Sequence, residues 1–174
     1  MARIPDDGGG GAERPDPDSY LNSLEPIGWK LGLDRMHRLL TVLGIPQHRF
    51  ASIHVVGTNG KSSVTRMTAA LLEAHGLSAG ACVSPHAARW SERTLVHGGE
   101  LGEAEFAAAV GRVAEAVASV NRALEEGEAV TQFEAATAVG FLALAAARVQ
   151  VAVVEAGLGG RLDATNTIPS RVTV

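Results

Sequence analysis

The feature that most constrains this chain is a short glycine-bounded loop between a β-branched run and a helix-compatible segment. The surrounding residues, 54–63, read HVVGTNGKSS. Gly57 and Gly60 let the backbone turn sharply and approach a ligand closely, because neither residue carries a Cβ atom. The amide groups of such a loop point inward and, with the positive end of the next helix, attract anions. This order of strand, loop and helix predicts a phosphate-binding loop.

The side chains that close the loop suit a bound phosphate. Lys61 supplies a point charge for the outer phosphates, and a hydroxyl of Ser62 or Ser63 suits the phosphates or their Mg²⁺. Two residues separate the glycines here, fewer than in the familiar pattern, so the loop is a shorter variant. An ordinary glycine turn beside a surface lysine is the alternative. The predicted ATP-binding residues are Gly57, Thr58, Asn59, Gly60, Lys61, Ser62 and Ser63.

Composition narrows the class of protein. A chain of 174 residues with 46% hydrophobic content predicts one globular domain. Its net charge of -4 argues against a general nucleic-acid-binding surface. Cys82 is the only cysteine, which excludes an internal disulfide, and its apolar surroundings predict a buried, inert thiol. No apolar stretch reaches the ~18 residues of a membrane span, so we expect a cytoplasmic protein without a membrane partner.

Predicted strands and helices alternate along the chain, which indicates an α/β fold. Residues 1–18 are dominated by Gly, Pro and Asp, and we expect them to be disordered. Strands are expected at 51–56, 79–83, 149–156 and 171–174, a hairpin at 93–100, and helices at 20–29, 33–43, 61–75, 103–125 and 131–147. The first long strand, its helix and the next strand form one βαβ unit, which implies a parallel pair with a right-handed crossover.

The helix at 61–75 has an apolar spacing of Val64, Met67 or Thr68, and Leu71. This spacing predicts that these residues form its buried face.

Two polar residues stand at the ends of predicted strands. Ser84 follows the strand at 79–83, and Glu155 lies at the end of a nearly all-apolar strand. The carboxyl ends of parallel strands gather at the ligand side of a sheet, so we expect both residues beside the phosphate-binding loop. A carboxylate at Glu155 is costly unless it is paired or holds a metal.

Five stretches together resemble the folylpolyglutamate synthase/dihydrofolate synthase family, a branch of the Mur-type ATP-dependent amide ligases. They are LDRM at 33–36 with LG at 43–44 and PQ at 46–47, the loop at 54–63, SPH at 84–86 with ER at 92–93, TQFE at 131–134, and EAGLGGRLDATN at 155–166. The resemblance covers nearly everything from about residue 20 onward. Ser62 departs from it, because the family usually has a glycine after the loop lysine.

The resemblance implies a parallel-sheet P-loop nucleotide-binding α/β domain with helices on both faces. Residues 19–174 would form a truncated ATP-binding domain of the Mur-ligase type, because the family continues beyond this length into a C-terminal glutamate-binding domain. We therefore expect a fragment that is inactive alone, and a full-length enzyme that is a monomer.

The implied activity is an ATP-dependent ligase of folate biosynthesis and one-carbon metabolism. It would join L-glutamate to dihydropteroate or to tetrahydrofolate polyglutamate through an acyl phosphate, with ATP and Mg²⁺ as cofactors. The resemblance makes Lys61 and Glu155 catalytic, and Ser84 and Glu155 the metal ligands. It places Thr131, Phe133, Arg161 and Asp163 at the pterin.

Several of these assignments have structural alternatives. Phe133 is equally well a core aromatic, and Arg161 and Asp163 could pair with each other. The pair at 34–35 is better interpreted as a solvated helix face, and His86 could be a loop histidine without a role. For the whole protein, a peptidoglycan-precursor ligase and a non-catalytic nucleotide-binding module stay open, as does the choice between dihydrofolate synthesis and polyglutamate extension.

Overall fold

A computed structural model describes residues 16–26 and 32–174 as a six-stranded mixed sheet with helices on both faces. The helices are α1 (Pro17–Ser23), α2 (Asp34–Val42), α3 (Lys61–Ala74), α4 (Glu103–Asn121) and α5 (Gln132–Ala146). The strands are β1 (Ala51–Val55), β2 (Ala79–Cys82), β3 (Thr94–Val96), β4 (Gly99–Glu100), β5 (Val151–Glu155) and β6 (Ser170–Thr173). Short 3₁₀ helices occupy Pro46–His48, Trp90–Arg93 and Ala164–Thr167. None of the described helices has the length and apolar character that a membrane crossing requires.

The sheet has the strand order β4-β3-β2-β5-β1-β6. Strands β2, β5, β1 and β6 run parallel to one another, and the predicted hairpin adds β3 and β4 in antiparallel pairing. The α/β prediction is confirmed, but the expected direct pairing of the first two strands is wrong. β5, which follows β2 by about seventy residues in the chain, lies between β1 and β2 and pairs with both.

The two faces of the sheet bury different sets of residues, because successive side chains of a strand point to opposite sides. On the α3 side, Val55, Ala81 and Val153 form one cluster with Ala69. On the other side, α1, α2, α4 and α5 build a larger core around Cys82, Ala152 and Val154. The buried position of Cys82 confirms the sequence prediction.

Helix α5 packs against the sheet more closely than a helix with larger residues could. A Cβ atom at Gly140 would lie 2.8 Å from Cys82 Sγ, and one at Gly80 would meet Leu144 of the helix. Nearly every residue of α5 from Glu134 to Ala145 is buried, as its all-round apolar character predicted. The tight packing holds the N-terminal end of α5, with Thr131, at the edge of the sheet where the site lies.

The N-terminal expectation is corrected at its boundary. Residues 1–15 and the end of the helix predicted at 20–29 lie outside the described residues, and residues 16–18 form the N-cap and first turn of α1. The Asp16 side chain accepts a hydrogen bond from Ser19 N at 2.9 Å, and Pro17 occupies the first turn. A capping carboxylate followed by proline is a helix-start signal that composition alone conceals.

The predicted buried face of α3 is confirmed in part. Val64 packs against the cluster on this side of the sheet, as Leu72 does, and Thr68 is half-buried. Met67 and Leu71 are 59% and 60% exposed, while Thr65 and Ala69 are buried, so the prediction is wrong for Met67 and Leu71. The helix itself is confirmed.

Candidate active site

The predicted phosphate-binding loop connects the end of β1 to the start of α3. Gly57 and Gly60 have φ angles of +148° and +77°, which L side chains rarely adopt. Lys61 begins the helix, and its Nζ donates to the Gly57 carbonyl at 3.0 Å. The loop at 57–60 is exposed, and the first amides of α3 have no partner within the helix. The loop therefore presents backbone donors and one ammonium group to the same side.

The first turn of α3 is joined to the end of β5 by a serine–carboxylate hydrogen bond. Ser62 Oγ donates to Glu155 Oε1 at 2.9 Å, and the Ser84 backbone N–H donates to Glu155 Oε2 at 3.0 Å. Ser62 Oγ also lies 3.4 Å from the Ser84 carbonyl oxygen. Glu155 is only 4% exposed, so these donors offset the cost of burying its carboxylate. The structure thus brings Ser62, Ser84 and Glu155 together, while Ser63 is exposed.

The donor set at this point suits Mg²⁺. A carboxylate and serine hydroxyls are hard oxygen ligands, and Mg²⁺ usually takes one or two protein carboxylates with phosphate and water oxygens. Within the described residues, no cluster of three or more His, Cys, Asp or Glu side chains could hold a metal alone. A metal here would therefore depend on Glu155, a serine hydroxyl and the nucleotide phosphates.

A second cationic side chain, Arg93, lines the same cleft as Lys61. Arg93 Nε donates to His86 Nδ1 at 2.8 Å, and its guanidinium lies 4.2 Å from the centroid of the Trp90 ring. Burial lowers the pKa of Arg93, while the nearby Glu155 carboxylate opposes that shift. Burial, followed by the Arg93 charge, lowers the pKa of His86. His86 is therefore neutral and accepts the Arg93 hydrogen bond, so it has a structural role at the site.

An open cleft of about 780 Å³ lies beside the start of α3, Ser84 and Arg93. This volume lies within the usual range of small-molecule sites, ~300–1,000 Å³. Its lining includes Lys61, Ser84, Arg93, Thr131, Phe133 and residues 157–164. Of the predicted phosphate-binding residues, Lys61 lines this cleft together with Ser84 and the four predicted pterin-binding residues, Thr131, Phe133, Arg161 and Asp163.

The N-terminus of α5 forms one wall of the cleft. Thr131 Oγ1 accepts a hydrogen bond from Glu134 N at 3.2 Å, and Glu134 Oε2 accepts one from Thr131 N at 2.8 Å. Glu134 also pairs with buried Arg35 at 3.2 Å. The solvated-face interpretation of residues 34–35 is therefore wrong for Arg35, although Asp34 is exposed. The Thr131 hydroxyl still has a proton to donate into the cleft.

Phe133 lies at the boundary between the core and the cleft. The ring is partly buried, packs against the larger core and lines the cleft. A Cβ atom added at Gly157 would lie 2.8 Å from Phe133 Cε2. The backbone of the loop after β5 therefore rests on the aromatic ring.

The loop after β5 is closed by a buried carboxylate. Asp163 accepts hydrogen bonds from Leu158 N at 2.7 Å and Thr165 N at 3.0 Å, and also from the Thr165 hydroxyl. His54 of β1 lies below, with Nε2 at 2.9 Å from Thr165 Oγ1. Because the Thr165 proton goes to Asp163, His54 Nε2 is the donor in that contact. Burial lowers the pKa of His54, against the opposing charge of Asp163.

Arg161 and Asp163 do not form the ion pair that was the alternative interpretation. Among the described residues Asp163 takes its bonds from Leu158 and Thr165, and Arg161 is exposed on the cleft wall. Asn166 Nδ2 donates to the Arg161 carbonyl at 3.0 Å, as expected of a residue that fixes the loop.

Sequence reasoning missed three contributors to this site. Arg93 and Trp90 were not assigned a function, and His54 was interpreted only as part of a strand. Arg93 follows an acidic residue in a short irregular segment, which carries no periodic signal. A histidine inside a β-branched run was the one available sign of a buried polar contact at His54.

Known proteins are similar to this chain in both sequence and fold. A dihydrofolate synthase/folylpolyglutamate synthase of Mycobacterium tuberculosis is 37% identical over 147 residues, which are 82% of this chain and 30% of that protein. The solved M. tuberculosis folylpolyglutamate synthase complexed with ADP superposes with a TM-score of 0.83 and 39% identity, covering 89% of this chain and 34% of the other. Escherichia coli FolC in complex with DHPP and ADP gives 0.78 and 33%, covering 89% and 36%.

The sequence and structure comparisons match similar shares of this chain. No family model matches the chain, yet the three relatives each align with more than four-fifths of it. The chain spans about a third of the length of the relatives it matches. By sequence and by fold, this chain belongs to the folylpolyglutamate synthase/dihydrofolate synthase family.

Proposed function

We propose that the whole protein is an ATP-dependent ligase that joins L-glutamate to dihydropteroate or to a tetrahydrofolate polyglutamate. The observation that carries the proposal is the meeting of α3, the Ser84 segment and Glu155 beside one cleft. Lys61, which follows the phosphate-binding loop, lines this cleft together with Phe133 and Thr131, which supply an aromatic ring and a hydroxyl. A nucleotide and a flat heterocycle would therefore lie side by side.

The proposed reaction has two steps. The terminal phosphoryl group of ATP passes to a substrate carboxylate, which gives ADP and an acyl phosphate. The amine of glutamate then attacks the acyl carbon, an amide bond forms, and inorganic phosphate leaves while the amine loses a proton. Phosphoryl transfer depends mainly on positioning and charge stabilisation, which is the chemistry that a rigid loop and fixed charges provide.

Each residue at the nucleotide end has a proposed task. Lys61 and the amides of the loop at 57–60 bind the phosphates. Glu155 and Ser84 would hold Mg²⁺, and the orientation of Glu155 is fixed by the Ser62 hydroxyl and the Ser84 amide. When bound, the metal supplies positive charge against the phosphate oxygens.

The pterin end of the cleft is assigned to Thr131, Phe133, Arg161 and Asp163. Thr131 and Phe133 offer a hydroxyl proton and an aromatic face, and Arg161 offers an exposed cation. Asp163 contributes by closing the loop, since its oxygens already accept bonds from Leu158 and Thr165. The presence of ADP and DHPP with the E. coli relative supports these two subsites.

The 174-residue chain itself corresponds to about a third of its relatives. We propose that residues 19–174 bind nucleotide without completing ligation. Calorimetric titration with ADP and Mg²⁺ tests the first part, and glutamate-dependent release of ADP from ATP and dihydropteroate tests the second. Ligation by this chain alone would overturn the second part only.

A matched pair of variants makes the binding test specific. Lys61→Ala removes the ammonium group and should weaken ADP binding about tenfold or more, as expected for a charge-assisted contact. Arg66→Ala removes an exposed cation from the same helix and should leave binding within about twofold. Wild-type affinity in Lys61→Ala would contradict the assignment of the loop.

A further inference from the structure

The guanidinium of Arg93 is fixed at the cleft by only some of its nitrogen atoms. Its Nε is bonded to His86, and the Trp90 ring covers one face at 4.2 Å. Trp90 is itself fixed, because its N–H groups donate to Asp18 and Asn22 of α1 at 2.9 Å each. The side chain is therefore fixed before any ligand binds.

The two terminal nitrogens of Arg93 have no hydrogen-bond partner among the described residues. The only hydrogen bond of its guanidinium within residues 16–26 and 32–174 is the Nε contact with His86, and it forms no ion pair there. Arg93 nevertheless lines the cleft and approaches Glu155 closely enough for that carboxylate to influence its pKa. A guanidinium has five donors in a fixed fork that matches phosphate oxygens.

The charges around Arg93 decide which anion it would bind. Glu155, whose carboxylate influences the pKa of Arg93, accepts hydrogen bonds from Ser62 at the start of α3 and from Ser84. Lys61 lines the same cleft as Arg93. Two cations in one cleft, beside a carboxylate and serine hydroxyls that suit Mg²⁺, suit the most highly charged end of a bound nucleotide.

We propose that Arg93 binds the terminal phosphate of ATP through its two free nitrogens, together with Lys61 of the same cleft. This inference rests on the proposed function, which supplies the nucleotide. ADP lacks the terminal phosphate, so Arg93 should distinguish a triphosphate from a diphosphate. His86 and Trp90 are the positioning residues for this contact.

The test compares two nucleotides by calorimetry in the presence of Mg²⁺: ADP and the β,γ-methylene analogue of ATP. Arg93→Gln should weaken binding of the analogue about tenfold or more and leave ADP within about twofold. Arg93→Lys should recover only part of the loss, because one ammonium cannot replace both the fork and the His86 contact. Arg89→Gln, which removes an exposed guanidinium paired with Glu100, is the matched control.

Each other outcome has a definite meaning. If Arg93→Gln changes neither nucleotide, or weakens both equally while the thermal melt is unchanged, the Arg93 assignment is overturned and the proposed function stands. If only dihydropteroate binding falls, Arg93 binds the substrate carboxylate instead and the phosphate assignment is wrong. If the wild-type chain binds neither nucleotide, the proposed function fails and this inference fails with it.

Discussion

The Ser62 hydroxyl donates a hydrogen bond of 2.9 Å to the Glu155 carboxylate, and so connects the first turn of α3 with the end of β5. The two residues are 93 positions apart in the chain. Their contact depends on β5 lying directly beside β1 in the sheet, with Val55 opposite Glu155. The strand order therefore places the Glu155 carboxylate, a group of the kind that binds Mg²⁺, beside the phosphate-binding loop.

The first prediction concerns the two adjacent serines of the loop. Ser62→Ala removes a donor from a carboxylate that is 4% exposed, so it should lower the free energy of unfolding by about 1–3 kcal/mol. Ser63→Ala changes an exposed side chain and should stay within about 0.5 kcal/mol. Urea denaturation of both variants measures the difference, and equal values would show that the Ser62 contact contributes little.

The second prediction concerns the contact between the loop after β5 and the aromatic wall. Gly157→Ala would place a methyl group against the Phe133 ring, so the ring or the loop must move, at a cost of about 1–3 kcal/mol. Gly160→Ala is the control, because its added Cβ would lie 3.5 Å from Val56, an ordinary contact. The free energies of unfolding should separate the two variants.

A double-variant cycle identifies the cause of the Gly157 effect. With Phe133→Ala already present, the added methyl group has room, so Gly157→Ala should cost about 1 kcal/mol less than in the wild-type background. An unchanged cost would place the strain in the loop backbone rather than at the ring.

The phosphate loop, the helices and most strands could be predicted because their signals are local. Glycines, a lysine and hydroxyls in order predict the loop. The capping pair of Thr131 and Glu134 likewise lies within one turn. Such features need only neighbouring residues.

The features that were missed depend on distant partners. The place of β5 between β1 and β2, the pairing of Arg35 with Glu134 and the hydrogen bond from Trp90 to Asn22 join segments far apart in sequence. The exposed Met67 on α3 shows the same limit, because the choice of buried face depended on how closely the sheet approaches. Resemblance brought the right segments together, but it did not give their contacts.

The third prediction concerns the single cysteine. Burial raises the pKa of the Cys82 thiol to about 12, so almost no thiolate is present at pH 8. A disulfide reagent should therefore react with the folded protein at least about a hundredfold more slowly than with the protein in urea. Fast labelling of the folded chain would show that the α5 side of the sheet opens readily, and full labelling in urea is the control.

The last prediction concerns the pH dependence of stability that arises from His54. Burial lowers its pKa in the folded state below the ordinary value of 6.5, although Asp163 opposes the shift. The unfolded chain then binds more protons than the folded one as the pH falls below about 6.5, so the free energy of unfolding must decrease. This contribution is fully present above that pH, and its slope cannot exceed about 1.4 kcal/mol per pH unit.

His54→Gln separates this effect from those of the other histidines. Glutamine keeps an N–H donor for Thr165 but does not titrate, so the variant should lose less stability than the wild type between pH 7.5 and 5.5. His86, whose pKa burial also lowers, remains in both proteins and contributes to the residual slope. Urea denaturation at both pH values measures the comparison. Equal losses in His54→Gln and wild type would mean that His54 is not held neutral beneath the Asp163 loop.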